Sequence, residues 1–182
     1  GLDFPEVTLI GVISSDINLN IPDFRASERT FNLLTQVAGR SGRGKIAGLV
    51  IIQTYSPKHY SIILSSKHDY ESFYKKELKF RKELNLPPFT NLIKISLSAS
   101  KSDIAESAST KLKDLIKKEA LLKDEDFLGP APGVISKIRN RFIWNIFLKI
   151  KDVFGVSMIL KKVLGDVKVF EKAYINIDVD PV

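Results

Sequence analysis

The sequence predicts an α/β unit followed by an α+β unit, on three observations. Two β-branched apolar runs, Val7 to Ile13 and Leu49 to Tyr55, flank a stretch with helical spacing, the order of a parallel βαβ unit with a right-handed crossover. A long helical pattern then stops at Pro87-Pro88. Beyond residue 90, strand and helix patterns follow in the order βαββαβ, the ferredoxin-like arrangement with two helices on one face of an antiparallel sheet. The expected division is residues 1–66, a connecting helix and Pro-Pro linker over 67–89, and residues 90–182.

In the first part, Phe31, Leu34, Val37 and Ala38 share one helical face. A helix is expected from about Asp23 or Ser27 to about Gly39, where glycine suits a helix end. Asn18 to Asp23, with Pro22, separates it from the first strand. If the two strands are parallel, Gly1-Leu2-Asp3 and the Arg40/Arg43 pair emerge at one edge of the sheet, the way a site is assembled on such a scaffold. Residues 67–85 read as a helix with an apolar stripe of Tyr70, Phe73, Tyr74, Leu78, Phe80 and Leu84. Glu71/Lys75 and Glu77/Arg81 stand at i,i+4 in the favourable order, and the Lys75-Lys76 and Lys79 to Lys82 charges read first as a solvated face.

In the second part, Ile93, Ile95, Leu97 and Ala99 alternate with polar residues as a half-buried strand. Ser102 is placed to cap a helix carrying Ile104, Ala108, Leu112, Leu115 and Ile116. Phe127-Leu128 is a short strand ahead of a break at Gly129-Pro130-Ala131-Pro132-Gly133. Phe142, Trp144, Ile146, Leu148 and Ile150 alternate along a stronger strand, a helix follows from Asp152 to Gly165, and Ile175, Ile177 and Val179 mark the last strand.

Composition narrows the chemistry. A chain of 182 residues that is 44% hydrophobic and 27% charged reads as folded rather than disordered. No apolar run reaches the roughly 18 residues of a membrane span, and the start lacks a basic-then-apolar leader, so a cytosolic protein without a membrane partner is expected. Opening on Gly1-Leu2-Asp3-Phe4-Pro5, the chain reads as a piece of something longer. It has no cysteine, and His59 and His68 cannot complete a zinc site alone. The net charge of +7 is concentrated beyond residue 60, since residues 1–60 hold 6 Lys+Arg against 5 Asp+Glu. A basic balance favours polyanions, because each neutralised phosphate releases counterions.

The chemistry-bearing stretch is Gln36-Val37-Ala38-Gly39-Arg40-Ser41-Gly42-Arg43. Gly39 to Lys45 spells G-x-x-x-x-G-K, but a phosphate loop runs strand, loop, helix and ends in Ser or Thr. Here a helix precedes, a strand follows and the next residue is Ile46. Two arginines three apart on a glycine-relaxed turn suit the charge that develops in phosphoryl transfer. The alternative is a surface turn whose arginines pair with local carboxylates. In the second part, Arg139, Arg141, Phe142 and Trp144, with Lys137 nearby, form a basic and aromatic cluster suited to phosphates and stacked bases. Trp144 lies on the apolar register and reads as core, which leaves Arg139, Arg141, Lys149 and Lys151 as the exposed cations for DNA or an acidic protein tail.

Gln36 to Arg43 resembles motif VI of superfamily-two helicases, Q-x-x-G-R-x-G-R, and Gly1-Leu2-Asp3 resembles the end of their motif V. The run Pro22 to Phe31 leading into Leu33 to Arg40, then Gln53-Thr54-Tyr55-Ser56-Pro57, Pro87-Pro88-Phe89, Gly129-Pro130-Ala131-Pro132, Arg141-Phe142-Ile143-Trp144 and Asp178-Val179-Asp180-Pro181, are similar in order to the PriA (primosomal protein N′) family of bacterial replication-restart helicases. The resemblance implies that residues 1–66 are the end of a RecA-like second helicase lobe and that the intact protein is an ATP-dependent 3′-to-5′ DNA helicase working at the nucleoid. It implies that Arg43 is an arginine finger supported by Arg40 and Gln36, with Gly1, Asp3, Gly39 and Gly42 on the nucleotide side. ATP and magnesium would be shared with a first lobe absent from this chain, and the family's zinc has no ligands here, so the piece alone should be inactive. Implied partners are branched and single-stranded DNA, the tail of single-stranded DNA-binding protein, and other primosome proteins. A non-enzymatic protein-docking module and another superfamily-two translocase are the alternative readings.

Overall fold

Strand β1 (Leu9–Val12) pairs in parallel with β2 (Leu49–Ile52), from Leu9 opposite Leu49 to Val12 opposite Ile52. The computed structural model describes residues 7–41, 48–165 and 172–181. It divides the chain into two units, residues 1–81 and 82–182, and is mixed α/β, with this parallel pair in one and a four-stranded antiparallel sheet in the other. The β-branched runs predicted strands covered on both faces. Among the described residues β1 and β2 pair only with each other, and Leu9, Leu49 and Ile51 are 59%, 58% and 55% exposed.

Two helices run between these strands, α1 (Asp16–Leu19) and α2 (Ala26–Ala38). The buried Asp16 carboxylate accepts from the Thr54 hydroxyl at 2.9 Å and the Tyr55 N–H at 3.0 Å, which ties the exits of both strands together. Burial raises its pKa, but those hydrogen bonds outweigh it and hold the carboxyl below the ordinary aspartate value. On α2, Thr30, Phe31 and Leu34 face inward, and Phe31 stacks on Phe73 with centroids 4.2 Å apart.

Phe73 belongs to α4 (Tyr70–Glu83), which follows α3 (Tyr60–Ser66). The stripe predicted on α4 is only partly used: Phe73 is buried, whereas Tyr70, Tyr74 and Phe80 are exposed. Glu77, read from sequence as half of a helix-surface pair, is 7% exposed. Its carboxylate accepts from the Tyr60 hydroxyl and from Arg81 Nε at 2.8 Å, and Arg81 also pairs with Glu28 of α2 at 2.7 Å. One charged network therefore joins α2, α3 and α4. Burial and the Glu77 carboxylate push the Tyr60 phenol far above its usual range. Burial opposes the charge on Arg81, and its bonds to Glu77 and Glu28 more than restore it.

Helix α3 is capped by a titratable group, since His59 Nδ1 accepts from the Ser61 N–H at 3.3 Å. Burial lowers the imidazole pKa below 6.5, with Glu77 pulling upward and Lys76 downward. Protonation removes the accepting lone pair. Because the folded-state pKa lies below that of the unfolded chain, the stabilisation is complete above about pH 6.5 and is lost as pH falls through the depressed value. The urea midpoint of the first unit is expected to drop between pH 7 and pH 5. A His59→Asn variant, which keeps a capping oxygen, should be flatter over that window.

The second unit is built on β3 (Asn91–Ala99), α5 (Ser102–Ala120), β4 (Phe127–Ile138), β5 (Arg141–Ile150), α6 (Val153–Leu164) and β6 (Ala173–Val179), with strand order β4-β5-β3-β6. Ile93, Ile95 and Leu97 of β3 and Ile146, Leu148 and Ile150 of β5 point to one face. There they meet Leu112 and Ile116 of α5 and Val156, Leu160 and Val163 of α6. This core is what the alternation predicted. Asp152 caps α6 as its sequence position implied, accepting from the Gly155 N–H at 2.9 Å. Ser102 does not cap α5: it is the first helical residue, and its hydroxyl accepts from Trp144 Nε1 at 3.2 Å. The Gly129 to Gly133 stretch, read as a break, is inside β4. Being at the sheet edge, β4 accommodates its prolines through register shifts, advancing three residues against two on β5 and then five against two.

Candidate functional sites

The arginine turn is presented by α2. The Gly39 N–H donates to Thr35 O at 3.0 Å, that of Arg40 to Val37 O at 3.1 Å and that of Ser41 to Ala38 O at 3.2 Å, so helical winding continues past the nominal end. Gly39 has a right-handed φ of −67°, and an added Cβ would meet nothing closer than 3.5 Å. The backbone conformation therefore does not require glycine here, and the missing side chain leaves the backbone open to approach. Gln36 is exposed one turn before the half-buried Arg40, so these two share a helix face. Gly1, Asp3, Gly42 and Arg43 lie outside the described residues.

What fixes α2 also fixes Gly39, Arg40 and Ser41 at its end. Phe31 against Phe73 and Glu28 against Arg81 anchor its inner face, and Asp23 accepts from the Arg25 N–H at 2.9 Å and pairs with Arg29 at 2.9 Å at its start. Sequence reasoning missed the Tyr60–Glu77–Arg81–Glu28 network. The charge order of Glu77 and Arg81 signalled an ion pair, but not that it is buried.

In the second unit, the four predicted cations do not form one patch. Arg139 and Asn140 make the β4–β5 turn with φ of 46° and 60°, the doubly left-handed form of a tight hairpin loop, and Arg139 is exposed at its tip. Arg141 reaches across β3, donating to Ser98 O at 2.7 Å and standing 4.2 Å over the Tyr174 ring of β6. Lys149 lies at the far end of β5, eight residues or about 27 Å away along the strand. With Lys151 it lines a cavity of about 480 Å³ that includes Thr90, Leu122, Asp126 and Asp152. Two lysines thus face two carboxylates there, and both carboxylates already accept backbone N–H bonds, Asp126 from Lys123 and Asp152 from Gly155.

Phe142 and Trp144 share the register of Ile146 and Leu148, on the helix-covered face. Trp144 thus lies on the face its periodicity implied, but it is half-buried and stands outside the buried core cluster; Lys137 stands 5.0 Å over the Phe142 ring. The aromatic rings on the opposite face are Phe147 and Tyr174, which the sequence reading passed over. Among the described residues no helix is long and apolar enough to cross a membrane, and no group of three or more His, Asp or Glu stands where it could hold a metal ion.

The sequence profile of the family described as primosomal protein N C-terminal domain matches residues 82–182, the whole of the second unit. The chain belongs to that family. Its similarity extends through the first unit as well. It is 42% identical over 181 residues, 99% of the chain, to the replication restart protein PriA of Bacillus subtilis. It is 36% identical over 184 residues to that of Borreliella burgdorferi and 38% identical over 181 residues to that of Synechocystis, in both cases across 100% of the chain. The chain spans between 21 and 27% of the length of these three relatives.

Proposed function

We propose that this chain is the C-terminal portion of an ATP-dependent 3′-to-5′ DNA helicase that restarts replication and assembles the primosome. The observation that carries the reading is similarity along the entire chain, through both units, to proteins named for replication restart. The first unit supports it physically. Parallel strands are ordinarily covered on both faces, so a parallel pair with bare Leu9, Leu49 and Ile51 fits the end of a larger RecA-like sheet that continues in the intact protein. On this reading Arg43 is the arginine finger. Gln36 and Arg40 support it, and Gly1, Asp3, Gly39 and Gly42 lie on the nucleotide side.

The open approach at Gly39 and the exposure of Gln36 suit a polyphosphate, which ATP with magnesium would supply together with the bond to be cleaved. This chain's own residues contribute fixed positive charge and orientation at that phosphate, and the phosphate loop would come from outside it, so the chain alone turns over no ATP. The absence of cysteine likewise assigns the family's zinc to residues elsewhere.

The second unit, with the strand order and one-sided helices of a ferredoxin-like domain, is the DNA-facing and partner-facing part. Arg139 and Arg141 serve phosphates. Lys149 and Lys151, at the cavity, serve an acidic tail such as that of single-stranded DNA-binding protein. Titrating the 182-residue chain with labelled forked and single-stranded DNA should give affinities that fall linearly with the logarithm of salt concentration. Arg139→Ala should make that slope shallower by about one. A salt-independent affinity, or no binding at low salt, would count against the DNA-binding role.

A further inference from the structure

The face of the four-stranded sheet opposite α5 and α6 carries an ordered set of side chains. Three rows cross it: Ile143, Ser98 and Tyr174; Asn145, Ser96 and Asn176; Phe147, Lys94 and Asp178. The middle row is all amide and hydroxyl, with Ser96 Oγ donating to Asn145 Oδ1 at 2.8 Å. The outer rows each hold one aromatic ring with a cation over it, Arg141 at 4.2 Å from the Tyr174 centroid and Lys94 at 5.9 Å from that of Phe147. Tyr174 is 71% exposed. At the β4 side the face has a wall, because a Cβ at Gly133 would stand 3.2 Å from Asn145 Nδ2 and 3.3 Å from Ile143 Cγ2.

We infer that this open face is a stacking platform for single-stranded DNA, with Tyr174 and Phe147 under two bases of one extended strand, Asn145 and Asn176 at base edges, and Arg141 and Lys94 on phosphates. The inference rests on the proposed DNA-binding role of the second unit and names where and in what form the DNA is held. Charge complementarity selects the occupant: across the three rows the cations Arg141 and Lys94 stand over the rings against the carboxylate of Asp178. Ring spacing selects the form. Tyr174 and Phe147 are offset by four residues of β3, about 13 Å, and by two strand spacings, about 10 Å, which places them about 16 Å apart. An extended strand of two or three bases, the number that open four-stranded sheets stack in single-stranded recognition, covers such a span. A duplex keeps its bases paired inside and offers these rings nothing to stack.

The test uses the 182-residue chain and anisotropy of labelled dT15 and of a blunt 15-base-pair duplex. The wild type should prefer dT15. Tyr174→Ala should weaken dT15 binding ten-fold or more while duplex binding changes less than two-fold. Its salt slope should be unchanged, because the ring neutralises no phosphate. Tyr174→Phe should stay within two-fold of wild type, and Phe147→Leu should also weaken dT15, with urea midpoints confirming that each variant is folded. If the wild type binds dT15 and Tyr174→Ala binds it equally well, the platform is wrong and the DNA-binding role stands. If the wild type binds neither DNA, both are wrong. If an acidic peptide displaces nothing from wild type yet loses its own binding in Tyr174→Ala, the face serves protein and the platform is overturned.

Discussion

Replacing Arg43 with alanine in the intact protein is expected to leave ATP affinity within a few-fold of wild type and to lower DNA-stimulated hydrolysis by about 10³-fold or more. The asymmetry follows from when the guanidinium acts. Most of the contact with bound nucleotide would come from the phosphate loop of the other lobe, so binding survives the loss of one cation from this side. Charge on the transferring phosphoryl group grows toward the transition state, and a fixed fork of donors aimed at it contributes most there. Arg43→Lys should rescue little, since a point charge on a flexible stem cannot reproduce a bidentate fork. Titration with a fluescent ATP analogue and steady-state turnover with and without single-stranded DNA separate the two effects. Near-normal DNA-stimulated turnover in Arg43→Ala would remove the finger assignment, and a matching loss of nucleotide affinity would reassign the residue to ground-state binding.

Where residue order alone carries structural information, the fold was legible. The βαβ and βαββαβ orders, the helix end at Gly39 and the Asp152 cap all follow from apolar periodicity and the chemistry of chain ends. The failures have local causes. Helix α3 is seven residues with three serines, too short for a helical period to show, and it is held by the His59 cap and by Tyr60 packing on Phe73. Strand β4 runs through two prolines because an edge strand can leave N–H positions unpaired and bulge, so turn-forming residues there did not end the strand.

The candidate sites show the same limit. Alternation on β5 showed that Phe142 and Trp144 share a face with Ile146 and Leu148, while Arg141, Ile143, Asn145, Phe147 and Lys149 share the other. Which face is covered is decided by the helices, and which ring completes the open one is decided by β6, whose Tyr174 is about thirty residues from Arg141 in the chain yet under its guanidinium. A basic and aromatic cluster read along one strand therefore mixed two faces. Only cross-strand register separates them.

Glu77→Ala is expected to destabilise the first unit by about 3 kcal/mol, a large effect for one residue on a helix whose preceding positions, Tyr74 to Lys76, are exposed. The side chains of Glu77 and Arg81 are only 9% and 12% exposed. Removing the carboxylate takes one ion-pair partner from the Arg81 guanidinium, which keeps its pairing with Glu28, and takes away the acceptor of the Tyr60 hydroxyl. Both losses fall away from bulk water, and each carries a desolvation cost that a surface pair never incurs. Glu77→Gln should fall between, because an amide still accepts from Tyr60 but gives Arg81 no charge. Hydrogen exchange separates this from general unfolding: amides of α2, α3 and α4 should lose protection while those of β3 and β5 keep theirs. The emission of Trp144, the only tryptophan, should report an unchanged midpoint for the second unit. A loss below about 1 kcal/mol would show that the network is solvated and that α2, with the arginine turn at its end, is held chiefly by Phe31 stacking on Phe73.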